Sequence, residues 1–278
     1  MERWICTACG TQFADAEQPP GVCPICDDDR QPPNTNEEQW TTLARLTAEP
    51  RTVRVEEAEP GLIGIGAEPA FGIGQRPLLV WTPSGNVLWD CMAYLDTAVE
   101  QAVHDHGGLI GIAISHPHFH ATMVDWAERF DVPIHVHADH RAWVMRPSPR
   151  VRFWEGDTLE LAPGATMVRL GGHFPGSAVL HWEHAADGLG VLLTSDTIYP
   201  LPASGWVSFM YSYPNLLPLP ASEVARIRDT IAPYAFDRIY TSWFGRELTG
   251  GAHETVLASA DRYLAALGGH VDHVLRTA

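Results

Sequence analysis

Four times between residues 86 and 196, a short apolar run ends at a residue of metal-binding type. Residues 86–89 run into Asp90, 109–115 into His116, 166–170 through Gly171-Gly172 into His173, and 191–195 into Asp196. Runs this short and this continuously apolar read as strands buried on both faces, which requires helices outside them. Helical patterns fall between them and after them, at 94–104, 121–130, 222–232 and 253–267. Ligating residues at the ends of such strands converge on one edge of the sheets, and that edge is the expected active site.

At 278 residues and 45% hydrophobic content, the chain is long enough for a small module plus one large domain with its own core. Its net charge is −16, and all 18 basic residues are Arg. Nucleic-acid backbones are held by clustered Lys and Arg, so no nucleic-acid partner is expected. No apolar run approaches the roughly 18 residues of a membrane span, and none of signal-peptide length follows Met1, so a cytoplasmic protein without a membrane partner is expected. The oligomeric state is left open.

Four of the five cysteines fall within the first 26 residues. Cys6 and Cys9 form one Cys-x-x-Cys pair, Cys23 and Cys26 a second, and thirteen residues separate them. Two such pairs supply the four-thiolate tetrahedron of a closed structural site. The other readings are two disulfides or a redox-active pair, both disfavoured in a reducing compartment without a thioredoxin pattern. The stretches Trp4-Ile5-Cys6-Thr7-Ala8-Cys9-Gly10 and Pro19-Pro20-Gly21-Val22-Cys23-Pro24-Ile25-Cys26 resemble the knuckles of rubredoxin and rubrerythrin. Gly10 is expected at a turn of unusual backbone angle, and Pro24 stiffens the second knuckle. Zinc is the expected structural ion, and iron fits the same donors. Residues 1–35 are assigned to this module and 36–50 to a linker, and the stretch from Asp27 to Gln39 is acidic, Pro-containing and aperiodic, as a linker is.

Residues 51–278 are assigned to one large domain, of which roughly residues 51 to 270 resemble the metallo-β-lactamase superfamily, in its glyoxalase II-like branch. The resemblance rests on Asp90 as the first-motif acid, His116-Pro117-His118 as the start of the His-x-His-x-Asp-His motif, His173 as the third-motif histidine and Asp196 as the bridging carboxylate. It implies an α+β fold, an αββα sandwich with its site at one rim of two facing sheets, here preceded by the four-cysteine module. Two departures follow. Where the family has Asp-His, this chain has His120-Ala121, and no histidine follows the late strand at 238–242, which leads into Trp243-Phe244-Gly245-Arg246. In the family those positions hold a second metal. The resemblance therefore implies one catalytic zinc or iron on His116, His118 and His173, with Asp196 nearby and a position left open for water.

The string His135-Val136-His137-Ala138-Asp139-His140 matches the family motif letter for letter. It lies 45 residues after Asp90 and 38 before His173, whereas His116 lies 26 after and 57 before. The His116 spacing is nearer the family's, and the string is read as a coincidence.

Such an ion acidifies water and polarises a carbonyl. The candidate catalytic groups are Asp196, His120 and Asp90. Asp196 orients the water, accepts its proton or binds the ion, and Asp90 holds a ligand imidazole or a loop. His120 is open between ligand, proton donor and a satisfied polar residue at a helix start. The aromatic segment 206–215 either lines a pocket for an apolar or aromatic small-molecule substrate or packs as core. Arg146 and Arg246 are candidates to meet a substrate carboxylate. The expected activity is hydrolysis of an ester, lactone, thioester or amide. The alternatives are an oxidoreductase with iron in both sites and a non-catalytic binding module.

Overall fold

The computed structural model describes residues 1–201 and 203–269. Two sheets face each other. The first has seven strands in the order Val151–Trp154, Ile134–His137, Gly111–Ala113, Val87–Trp89, Leu78–Val80, Leu62–Glu68, Thr52–Glu59. The second has six, in the order Thr158–Ala162, Ala165–Arg169, Ala178–Trp182, Val191–Leu193, Arg238–Tyr240, Glu247–Leu248. Helices Thr97–Asp105 and Met123–Phe130 cover the first sheet, and Ala221–Ile231 and Ala252–Leu267 the second.

The inner strands Val87–Trp89, Gly111–Ala113 and Val191–Leu193 are apolar throughout because each face is buried against a different layer. Val87 and Trp89 join the core between the sheets, while Leu88 between them faces the helices. On the opposite sheet Val191 and Leu193 face inward and Leu192 faces the other helical layer. Alternation is thus present as a choice of core rather than as apolar against polar. Strand Val87–Trp89 runs parallel to Gly111–Ala113, and Val191–Leu193 parallel to Arg238–Tyr240. Asp90, His116, His173, Asp196 and Ser242 all follow the C-terminal ends of their strands.

A third, three-stranded sheet (Gln12–Ala16, Glu2–Cys6, Trp40–Thr42) carries the cysteines. Residues 36–50, expected as a linker, are structured. Trp40–Thr42 pairs with Trp4–Cys6, Trp40 meets Phe13 edge-on at 5.2 Å, and the Thr42 side chain caps helix Leu43–Ala48. Three residues of strand and a six-residue helix are too short to show a period in sequence. The cysteine sheet docks on the large domain through main-chain bonds from Gln12 to Ala121 and from Ala14 to Met145. Beside them Arg146 donates to Gln12 at 2.5 Å and to Asp125 at 2.6 Å. Arg146 is therefore buried in this docking contact, which corrects its reading as a substrate-carboxylate partner. Among the described residues, no helix is long and apolar enough to cross a membrane. The last residues of the expected large domain, 270–278, lie outside the described residues.

Candidate metal centres

The four knuckle sulfurs lie within 4.8 Å of one another, all buried. Cys6 Sγ is 3.6 Å from Cys26 Sγ, and Cys9 Sγ is 3.7 Å from Cys23 Sγ. Metal–sulfur bonds of about 2.3 Å give tetrahedral edges of about 3.8 Å, so the cage has the size of a four-thiolate ion site. All five cysteines are free. Cys91, outside this cage, is fully buried in the core of the first sheet. Gly10 turns the first knuckle with φ +82°, as its place after Cys9 anticipates.

At the rim of the sandwich a second cage forms from His116, His118, His173 and Asp196, again within 4.8 Å. Asp196 Oδ2 lies 3.1 Å from His116 Nε2, 3.7 Å from His118 Nδ1 and 3.6 Å from His173 Nε2. His118 Nδ1 is 3.4 Å from His173 Nε2. Donors about 2.0–2.1 Å from a tetrahedral ion stand about 3.3–3.4 Å apart, close to these separations. The outer nitrogens of His116 and His173 each have a neighbour of their own, whereas the Gln31 amide is equally close to both nitrogens of His118. His116 Nδ1 is 3.0 Å from Ser115 Oγ, His173 Nδ1 is 3.2 Å from the Met210 carbonyl, and the Gln31 amide lies 3.2 Å from the His118 ring nitrogens. Such partners fix which nitrogen faces an ion.

Burial lowers the pKa of His116 to about 4 and puts His173 well below its ordinary value, so both lone pairs are free at neutral pH. Burial pushes Asp196 upward, but its close contacts with the His116 and His118 rings outweigh this and hold the carboxyl below its usual range. Asp90 is fully buried and touches none of the cage donors directly. It accepts from the Ser115 amide at 2.8 Å, Ser115 Oγ at 3.0 Å, Ser242 Oγ at 2.6 Å and Ser195 Oγ. One carboxylate thereby ties together the loops that carry His116 and Asp196. Burial raises its pKa to about 6 against these bonds.

His120 lies outside the cage, which corrects its candidacy as a ligand. The 3₁₀ turn Pro117–Phe119 breaks the extended geometry that would have aligned it with His116 and His118. Its Nδ1 faces the Trp143 carbonyl at 3.1 Å, and burial lowers its pKa to about 3. The string at 135–140 forms no cage among the described residues, and His137 Nε2 faces the Gly156 carbonyl at 3.2 Å.

Gly171 and Gly172, at φ +60° and +79°, turn the chain so that His173 points back at the cage. A Cβ at Gly172 would stand 2.9 Å from Leu219 Cδ1. Gly172→Ala is expected to lose about 2 kcal/mol, from the left-handed backbone and this contact, read as a lower urea midpoint at unchanged slope.

A cavity of about 170 Å³ opens beside the cage, lined by Gln31, Ile73, His173, Asp196, Tyr199, Tyr213, Pro214 and Trp243. The aromatic segment 206–215 therefore divides its roles. Tyr213 and Pro214 line the cavity, whereas Val207 and Phe209 pack in the core. Arg246 is exposed, its guanidinium 5.8 Å from the ring of Tyr199 at the rim. No local pattern marked Gln31 or Gln75 as part of the site. Gln75 Nε2 joins the Cys9 carbonyl at 2.9 Å to the His118 carbonyl at 3.2 Å.

Several solved structures share the architecture. The chain is similar to DIM-1 metallo-β-lactamase (TM-score 0.56, 13% identity, covering 75% of this chain and 97% of that one). It is similar to TMB-1 (0.58, 15%, covering 76% and 98%). It is also similar to FIM-1 of Pseudomonas aeruginosa, solved in a mono-zinc form (0.55, 13%, covering 76% and 96%). At these identities the likeness concerns the fold. No family model matches the chain. Fold and cages together define a metal-binding protein of metallo-β-lactamase fold with an added four-cysteine module. The chain belongs to the same family as the protein YmaE of Bacillus subtilis (strain 168), with 44% identity over 274 residues, covering 98% of this chain and all of that one.

Proposed function

We propose that the protein is a metal-dependent hydrolase acting on an ester, lactone, thioester or amide with a small apolar or aromatic group, and that zinc occupies both cages. The observation that carries the reading is the three-histidine, one-aspartate cage opening onto the cavity walled by Tyr199, Tyr213 and Trp243. The fold neighbours and the mono-zinc form of FIM-1 support one zinc in this cage.

His116, His118 and His173 would hold the ion, which supplies Lewis acidity toward water and a substrate carbonyl. Asp196, held ionised and facing the cavity, orients the attacking water and takes its proton. His116 donates from Nδ1 to Ser115 Oγ, and Ser115 donates to Asp90, so Asp90 keeps the ligand face of His116 deprotonated. The three side chains of the wall exclude water around the apolar part of the substrate.

The test is a panel of activated esters, thioesters, lactones and anilides, with protein as purified, stripped by chelator and reloaded with zinc. Hydrolysis lost on stripping and restored by zinc is expected. Zinc-loaded protein inert across all four classes overturns the reading, and a red, iron-containing preparation turns it to an oxidoreductase.

A further inference from the structure

The loop that follows Cys26 is held in place by the thiolate cage, yet it forms part of the histidine cage's surroundings. Arg30 Nε donates to the His173 carbonyl at 2.6 Å, and its Nη1 grips both oxygens of Asp28 at 2.7 Å. The guanidinium is sandwiched between two rings, 4.2 Å from the centroid of Phe174 and 4.3 Å from that of Tyr211. Ser212 Oγ donates to the Arg30 carbonyl at 2.8 Å, and Tyr211 Oη to Asp29 at 2.6 Å. The next residue, Gln31, packs across His118 and lines the cavity. This one arginine therefore fixes the turn that delivers His173 and the strand whose Met210 carbonyl faces His173 Nδ1.

We propose that Arg30 is a positioning residue of the histidine cage, and that through it the filled four-cysteine cage raises the metal affinity of the histidine cage. A guanidinium stacked on two faces and bonded at its edge holds a backbone carbonyl more rigidly than a point charge does. Groups outside the cage that hold a ligating residue in place change metal affinity by about 10- to 100-fold. The inference rests on the histidine cage holding a metal and not on the hydrolytic reading.

Cobalt(II) titration of the full chain tests it. Thiolate-bound cobalt gives strong near-ultraviolet charge-transfer bands, and cobalt on nitrogen and oxygen donors gives weak visible bands, so the two cages are read separately. Arg30→Ala is expected to weaken the histidine cage by about 10- to 100-fold while leaving the thiolate bands and their affinity unchanged. Arg30→Lys, which keeps one donor but loses the stacking, is expected to fall between. Cys23→Ser, with the thiolate cage broken, is expected to weaken the histidine cage at least as much as Arg30→Ala. Circular dichroism checks that each variant is folded, and a variant that is not is replaced by Tyr211→Leu, which removes one stacking face. Affinity of the histidine cage unchanged within about twofold in folded Arg30→Ala overturns the positioning role, because 0.4 kcal/mol is too little for a partner of a ligand. Unchanged affinity in folded Cys23→Ser overturns the coupling. Equal weakening of both cages in Arg30→Ala marks a general destabilisation and likewise overturns the positioning role. A wild type that shows only thiolate bands overturns the metal reading of the histidine cage, and the proposal with it.

Discussion

His118→Ala is expected to cut the metal content of the purified protein from about two ions per chain to about one, with the thiolate ion retained. His118 is fully buried, with Nδ1 inside the cage and its backbone carbonyl held by Gln75. Alanine removes one of three imidazoles from a site that no other histidine among the described residues joins, since His120 and His140 lie outside the cage. Any zinc-dependent hydrolysis should fall to background with the ion. Cys23→Ala should produce the opposite loss, keeping the histidine-bound ion in part. His137→Ala should keep both ions, because that ring lies outside the cage, with its nitrogens against the Gly156 carbonyl and the Asp139 amide. Elemental analysis of the three variants reads the outcome. Metal lost from His137→Ala but kept by His118→Ala would show that the letter-for-letter motif, not the strand-end histidines, is the site.

Asp90→Ala is expected to be the most destabilising single change, costing about 3–5 kcal/mol. The substitution leaves the Ser115 amide and the hydroxyls of Ser115, Ser195 and Ser242 without their buried acceptor. Residue 90 also has φ +64°, a left-handed conformation that costs Asn less than Ala. Asp90→Asn keeps that backbone and one acceptor oxygen, so it should lose roughly half as much. Urea denaturation of both variants gives the magnitudes. Loss of the histidine-bound ion from folded Asp90→Asn would show that the Asp90–Ser115–His116 chain also governs metal affinity. An Asp90→Ala protein as stable as wild type would remove Asp90 from its place at the centre of the rim.

Much of the large domain was legible because two signals coincide locally. Apolar runs of strand length locate the layers, and a ligating residue at the end of each run locates the rim. His116, His118, His173 and Asp196 could be read this way, as could four helices, whose periods extend over eight residues or more. Positional spacing also separated the strand-end histidines from the better-looking string at 135–140. The four cysteines needed no neighbours at all, since each pair is a chelating turn in itself.

What sequence alone could not decide was how these pieces meet, because contacts between residues far apart carry no local period. His120 was drawn toward the cage by alternation, and a single 3₁₀ turn took it away. Arg146, separated from Gln12 by 134 residues, proved to be a docking contact between module and domain. Arg30 and Gln31, in a stretch that reads as a polar linker, lie against His173 and His118 only because the thiolate cage and the rings of Phe174 and Tyr211 close around them. The sequence by itself determined two sets of metal donors and the layers that carry one of them. Only the tertiary structure made the two sets neighbours, since that depends on packing across more than a hundred residues of chain.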